Sequence, residues 1–99
     1  MVIVEPYEGA GADGRLYGAP VTIDRALIID ADTIVKAADG DVNSATTVYL
    51  ERSELARIPT PDTRVTVRAG TVDARTTHVI SCTRYEHPVI ADLLEVKLA

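Results

Sequence analysis

The side chains in this sequence that are best suited to nucleophilic or acid–base chemistry are one cysteine and two histidines. Cys82 lies four residues after His78, and four residues of extended strand span roughly 13 Å. A thiol nucleophile needs its histidine base within hydrogen-bonding reach, so this spacing does not form such a pair. His87 directly precedes Pro88 and is expected in a loop. The sequence therefore predicts a small buried Cys82, a His78 on the apolar side of a strand, and no enzyme activity.

Carboxylates offer a second kind of site, one for a hard cation. The closest aspartate pairs are Asp30 with Asp32 and Asp39 with Asp41. An Asp-x-Asp pair belongs to a calcium-binding loop when a twelve-residue loop follows and ends in glutamate, and neither pair continues in that way. The cysteine and the histidines also lack the spacing of a zinc site. We therefore expect solvated turn carboxylates, with no metal and no cofactor.

Glycines are concentrated near the N-terminus, as they are in phosphate-binding loops. Four of them, Gly9, Gly11, Gly14 and Gly18, fall within eleven residues. A phosphate cradle needs a following Gly-Lys-Ser/Thr and a helix, and neither follows here. Residues 8–19 are therefore predicted to be an exposed, flexible loop within a single domain that covers residues 1–99.

The charge and the aromatic content argue against nucleic-acid recognition. The formal net charge is −5, and the sequence holds no Phe and no Trp. Phosphates are neutralised by Lys and Arg, and OB-type domains also stack bases on aromatic platforms. The tyrosines are expected to pack on a small core or at subunit contacts, where tyrosine is enriched; they are Tyr7, Tyr17, Tyr49 and Tyr85.

The hydropathy pattern does not indicate a membrane protein. No apolar run approaches the ~18 residues that a spanning helix needs, and the N-terminus lacks the basic and apolar regions of a signal peptide. The single cysteine cannot form an intramolecular disulfide. We expect a soluble protein that folds in a cytoplasm and has no membrane partner.

Strands must position these side chains, because Val, Ile and Thr dominate the chain and turn residues recur at short intervals. Alternation of apolar and polar residues predicts half-buried strands, whereas residues 53–58 permit one or two helical turns before Pro59. The predicted strands are Val2–Val4, Val21–Asp30, Thr33–Ala37, Val42–Glu51, Arg64–Arg68, Val72–Tyr85 and Asp92–Leu98. The fold class is therefore all-β, a small antiparallel barrel or sandwich of about seven strands with at most one short helical turn.

The alternation also assigns inward faces to the two longest segments. In Val21–Asp30 the inward residues are Val21, Ile23, Leu27 and Ile29, with a bulge or a strand end at Arg25. In Val72–Tyr85 they are Val72, Ala74, Ile80 and Cys82; Val79 beside Ile80 indicates either that both faces are covered there or that the strand bends. In the remaining strands they are Val48, Leu50, Val65, Val67, Leu94, Val96 and Leu98.

Two further segments are suited to contacts with neighbouring proteins. Pro6 limits the pairing of the first strand, which predicts an edge strand or an arm; the candidate interface arm is Val2, Ile3, Val4, Pro6 and Tyr7. Ala38-Asp39-Gly40-Asp41 is the strongest turn in the chain, because Asp-Gly supplies the positive φ angles of a tight hairpin. Ala31–Asp32 permits a bend, and the hairpin is predicted to be short.

The order of these segments resembles that of a known family. "YGAPVTIDRALIID", "VKAADGDVNSATTVYL", "DTRVTVRAGTVDARTTHVISCTRYEHP" and "DLLEVKLA" together resemble the head-to-tail stopper, or head-completion, proteins of long-tailed bacteriophages, above all those of actinobacterial phages. The resemblance covers the chain from about Tyr7 to Ala99. It lies in the layout and wording of the segments, since none of them is a chemical motif.

This resemblance implies a small β-barrel that forms a ring in the phage neck, between the portal and adaptor rings and the tail terminator ring. Such a ring has six-fold or twelve-fold self-association, helps to retain packaged DNA, docks the tail, and passes double-stranded DNA without sequence-specific binding. It implies a place in the virion neck after assembly in the host cytoplasm. Lys36–Thr46 matches the inward loop of some relatives, so the candidate channel-facing or subunit-contact residues are Lys36, Ala38, Asp39, Gly40, Asp41 and Asn43.

Other interpretations of the sequence stay open. The acidic balance fits a channel wall that repels DNA, and it also fits simple solubility of a small domain. A tail terminator or a tail-tube subunit is the second interpretation, although a tube subunit is expected to have a longer hairpin. An OB-like binding module is the third, and the acidity and the missing aromatic platforms count against it.

Overall fold

The computed structural model describes residues 1–12, 14–37, 40–89 and 92–99, except for the side chain of Ala37. Nine strands and one 3₁₀ turn, Arg52–Glu54, form within these ranges. The strands are β1 (Val2–Glu5), β2 (Tyr7–Gly11), β3 (Gly14–Tyr17), β4 (Val21–Ile23), β5 (Ala26–Ala37), β6 (Gly40–Glu51), β7 (Arg64–Val67), β8 (Arg75–Tyr85) and β9 (Leu93–Leu98). The predicted all-β class with a single short helical turn is confirmed.

One antiparallel sheet holds seven of these strands, in the order β4-β1-β7-β8-β9-β6-β5, and β2 pairs with β3 separately. Only Asp24 and Arg25 separate β4 from β5 in the chain, although these strands stand at opposite ends of the sheet order. The bend at these two residues lets one stretch of chain pair with β1 through β4 and with β6 through β5. The sheet therefore wraps around its inner face.

The inner face carries one apolar core. It is built almost entirely from Val, Leu and Ile, whose burial contributes roughly 1.5–3 kcal/mol per side chain. Its buried members are Val2, Val4, Ile23, Val48, Leu50, Leu55, Val65, Val67, Val79, Leu94, Val96 and Leu98. The alternation correctly predicted the inward residues of β7 and β9, and it correctly predicted Val48 and Leu50 in β6.

The inward face predicted for Val21–Asp30 is wrong beyond Arg25, whereas the strand end predicted at Arg25 is confirmed. The bend shifts the alternation by one residue, and a shift of one residue exchanges the two faces of a strand. Ile28 packs against the core, whereas Leu27 and Ile29 are 60% and 42% exposed. Two large aliphatic side chains therefore lie on the outer face of the sheet.

The strand predicted to begin at Val72 begins at Arg75 instead. Arg68 and Gly70 both have positive φ angles, 53° and 80°, and the chain turns there and again at residues 71–74. The N–H of Thr71 donates to the Arg68 carbonyl at 3.2 Å. Val72 is consequently fully exposed rather than inward.

The segment predicted as a flexible loop, residues 8–19, is largely a hairpin formed by β2 and β3. Gly9 and Gly14 have φ angles of 112° and 115°, which glycine adopts at little steric cost, and they supply the irregular pairing and the tight turn. Tyr7 and Tyr17 close the open end with ring centroids 6.0 Å apart. The glycines therefore shape a second, small sheet.

Candidate assembly surface

The hairpin of β5 and β6 extends beyond the body of the molecule. Each strand has twelve residues, but β6 pairs with β9 only from Thr46 to Glu51. Residues 33–37 and 40–44 pair only with each other among the described strands, and we call this two-stranded segment the ribbon. The predicted short hairpin is wrong, because the bend expected at Ala31–Asp32 is a bulge within one continuous strand.

The ribbon holds the described members of the predicted hairpin site together at one exposed tip. Ala38 and Asp39 of that site lie outside the described residues. The other predicted residues, Lys36, Gly40, Asp41 and Asn43, are all exposed. Gly40 has a φ angle of 113°, as a tight turn at this position requires.

The outer face of the ribbon also carries an aliphatic side chain that the sequence prediction missed. Ile34 pairs with Asn43, and Lys36 pairs with Asp41; these four side chains share one face because strand residues alternate. Ile34 is 69% exposed. The tip therefore presents an apolar side chain beside an Asn, a Lys and an Asp.

The exposed aliphatic side chains continue along β5 towards the body. Leu27, Ile29 and Ile34 form what we call the outer β5 row, and each is exposed by two fifths or more. A shallow apolar groove lies beside Leu27 and Ile29, with Leu93 on its far side. Strand β5 also ends the sheet order, so its second edge has no pairing partner among the described strands. This region thus combines apolar side chains with an open strand edge.

The base of the ribbon is fixed to the body by polar contacts. Arg68 donates to Asp30 at 2.7 Å, and Thr46 donates to the other oxygen of the same carboxylate at 3.0 Å. Arg75 donates to the Thr46 hydroxyl at 2.7 Å. The hydrogen bond from Arg68, with that from Thr46, lowers the pKa of Asp30. Asp30, predicted to be a solvated turn carboxylate, is instead an ion-paired strand residue.

The outer face of the body holds a connected polar group rather than a reactive one. Tyr49 donates to Glu95 at 2.7 Å, and Lys97 donates to the Thr47 hydroxyl at 3.0 Å. The hydrogen bond to the Glu95 carboxylate, together with burial, raises the pKa of Tyr49. The phenol therefore keeps its proton and fixes the β6–β9 pairing on this face.

A bulge in β8 sets the directions of Cys82 and His78, whereas His87 follows the end of that strand. The pairing of β8 with β9 shifts between Val79 and Ser81, which agrees with a bend, one of the two interpretations of Val79 beside Ile80. Because of this shift Cys82 packs against the core, and burial raises the pKa of its thiol. His78, predicted on the apolar face, is exposed instead, since it precedes the bulge. His87 accepts a hydrogen bond from the N–H of Val89 at 3.1 Å.

The predicted interface arm is wrong for the strand itself. Strand β1 lies between β4 and β7, and Val2 and Val4 are buried in the core of their own chain, with Ile3 between them. Pro6 follows the last paired residue of β1, so its missing N–H costs the sheet no hydrogen bond. Tyr7 belongs to the β2–β3 hairpin and packs on Tyr17.

Comparisons of the chain with protein-family models, with curated proteins and with solved structures found no match. Across the described ranges, no helix has the length and apolar character needed to cross a membrane. Nor does any group of three or more His, Cys, Asp or Glu side chains in those ranges have an arrangement that could hold a metal ion.

Proposed function

We propose that this chain is a ring-forming structural subunit of the neck of a long-tailed bacteriophage, in the position of a head-to-tail stopper. The observation that carries the proposal is the ribbon, whose Ile34 is 69% exposed. A two-stranded hairpin is at best marginally stable by itself in water, so a projection of this length is best explained by a neighbouring protein that packs on it. The resemblance in segment order supplies the class of assembly.

The outer β5 row and the open edge of β5 support self-association. An open edge offers backbone N–H and C=O groups to a strand of a neighbour, and the row adds apolar area to the same contact. A heterologous contact, which joins two different surfaces of identical copies, gives a ring when its rotation closes. Six-fold or twelve-fold rings are the symmetries that the resemblance implies.

Of the two roles expected for the hairpin, subunit contact is favoured over lining the channel. An aliphatic side chain such as Ile34 on the wall of a water-filled channel would stay exposed, whereas at a subunit contact it would be buried. The net charge of −5 suits a ring through which DNA passes, because like charge repels phosphates. The other partners in this proposal are the adaptor ring and the tail terminator ring of the virion neck.

A second candidate function is favoured by the length of the hairpin. A tail-tube subunit is expected to have a longer hairpin than the sequence predicts, and the strands of this hairpin have twelve residues each. A long hairpin can reach a subunit in the next ring of a stack. The two functions differ in whether purified rings stay single or stack into tubes.

Electron microscopy of the concentrated purified protein, together with analytical ultracentrifugation of the same sample, tests the proposal. Single rings with a central channel are expected, and tubes of stacked rings would favour the tail-tube function. The gene is also expected to lie among portal, capsid and tail genes. A protein that stays monomeric at every concentration and whose gene lies among unrelated genes contradicts the proposal.

A further inference from the structure

We propose that the ribbon of one copy docks into a cavity near β1 and β4 of a second copy, with Ile34 entering the cavity. This inference rests on the proposed ring and names the two surfaces that join its subunits. It is argued from the cavity, from the matching charges, and from the positions of the two surfaces in the chain.

The cavity has a volume of about 230 Å³, which is smaller than the roughly 300–1,000 Å³ of typical small-molecule pockets. Val4, Val21 and Leu55 form part of an apolar lining. At the rim stand Glu8 and Arg57, whose side chains are 50% and 66% exposed and whose charged atoms are 3.7 Å apart. An aliphatic side chain fits this cavity better than a cofactor or a substrate does.

The charges around Ile34 match those at the rim. The ribbon carries Lys36 opposite Asp41 on the face that presents Ile34, so an apolar side chain stands beside one positive and one negative group. The cavity has the same composition, with Glu8 and Arg57 at its edge. Docking would bring Lys36 to Glu8 and Asp41 to Arg57, and complementary charge of this kind fixes the register of an interface.

The two surfaces cannot meet within one molecule. Gly40 is at the tip of the ribbon and Glu51 ends β6, which separates the two ends of that strand by roughly 35 Å. The chain leaves β6 through the 3₁₀ turn and reaches the cavity lining at Leu55. An apolar projection at one end and a cavity at the other form a heterologous pair, and such a pair generates a ring when its rotation closes.

Disulfide trapping tests the docking, because a disulfide forms only when the two Cα atoms come within about 7 Å. The variant carries Asn43→Cys, at the residue paired with Ile34 on the same face of the ribbon, and Ala56→Cys in the cavity lining. It also carries Cys82→Ser to remove the native thiol, and Ile34 itself is kept. Under mild oxidation it should give a ladder of dimers, trimers and higher multimers on a non-reducing gel. Each single-cysteine variant should stop at dimers.

The matched control replaces the ribbon cysteine by Val72→Cys, which is fully exposed in the turn before β8, with the Ala56→Cys and Cys82→Ser changes kept. A ladder no stronger than that of this control overturns the docking. If rings are seen by electron microscopy without the ladder, the docking is wrong and the ring function stands. If neither rings nor a ladder form, the docking is wrong, and the ring function is wrong as well when the gene lies among unrelated genes.

Discussion

The body and the ribbon have the same alternating, β-branched sequence pattern, yet the apolar side chains are buried in the body and exposed in the ribbon. In the body, β7, β8 and β9 each pair on both edges, and Val67, Leu94 and Leu98 are completely buried. In the ribbon, each strand has one neighbour, and Ile34 and Val42 are 69% and 37% exposed. Alternation of apolar and polar residues is therefore enough to specify a strand. Burial of the apolar side chains also requires further strands beside that strand or packed against its apolar face. Among the described residues no further strand pairs with the ribbon, and we infer that another copy supplies one.

The largest expected effect separates a body leucine from a leucine of the outer β5 row. Leu94→Ala removes a fully buried side chain and should lower the free energy of unfolding by about 2–5 kcal/mol. Leu27→Ala makes the same chemical change at a 60% exposed site and should cost no more than about 0.5 kcal/mol. Urea denaturation followed by circular dichroism measures both. Equal losses would show that the two regions do not differ in packing.

The second effect concerns association rather than folding. Ile34→Asp puts a charge on the side chain that we place at the subunit contact, and it should weaken self-association at least about tenfold, since truncating a contact anchor costs more than 1–2 kcal/mol. Its unfolding free energy should stay close to that of the wild type. Val72→Asp is the control at a fully exposed site outside the ribbon. Sedimentation velocity at several concentrations makes the measurement, and equal association of the two variants contradicts the proposed contact.

The third effect is the pH dependence of the contacts that Asp30 makes with Arg68 and Thr46 at the base of the ribbon. The pKa of Asp30 is lowered in the folded protein by its hydrogen bonds from Arg68 and Thr46. A lowered folded pKa gives stability that is complete above the unfolded value of about 3.9 and is lost as the pH falls through the folded value. Wild-type protein should therefore lose more stability than Asp30→Asn between pH values of about 6 and 2.

The Arg68→Met variant provides the control for this pH effect, because it removes the first cause of the lowered pKa of Asp30. In the Arg68→Met background, Asp30→Asn should change the acid-induced loss of stability much less. Urea unfolding at a series of pH values measures all four proteins. If the unfolding free energy of the Asp30→Asn variant falls with pH as that of the wild type does, the contacts of Asp30 do not cause the acid-induced loss of stability.

The smallest expected effect compares one thiol in each region. Cys82 packs against the core and burial raises its pKa, so little reactive thiolate is present near neutral pH. Its alkylation should be several-fold slower in the folded protein than in urea. Ile34→Cys in a Cys82→Ser background should react in the folded monomer at nearly the rate seen in urea. Equal folded-state rates for the two thiols would contradict the difference in burial.

The pattern of single residues predicted the body well. Clean alternation identified the inward valines of β7 and the inward residues of β9, because a strand with one covered face has an unambiguous period of two. Arg25 and the adjacent Val79 and Ile80 also marked irregular positions, since a charged residue or two adjacent aliphatics interrupt that period. The pattern left a bulge or a strand end open at Arg25, and two covered faces or a bend open at Val79. The all-β class follows from these segments alone.

What the sequence could not predict depends on tertiary pairing. Pro6 suggested an edge strand or an arm, whereas the sheet order places β1 between two partners. The bend at Asp24 and Arg25 exchanges the inner and outer faces of β5 relative to β4. The alternation therefore predicted Leu27 and Ile29 on the inner face, whereas both lie on the outer face. The glycines of residues 8–19 indicated a flexible loop, whereas these residues largely form a hairpin. For the candidate site, the tip residues were predicted, whereas Ile34 and the cavity that we pair with it were not.

The most direct test of the central claim, that the ribbon is a contact between copies, is hydrogen exchange of the wild-type protein below and above the concentration at which it assembles. On assembly, hydrogen exchange is expected to slow at the amides of residues 33–37 and 40–44 and at those around Ala56 and Arg57. The exchange of the amides of β7 and β9 is expected to stay the same. Assembly that leaves the exchange of the ribbon unchanged would contradict this claim.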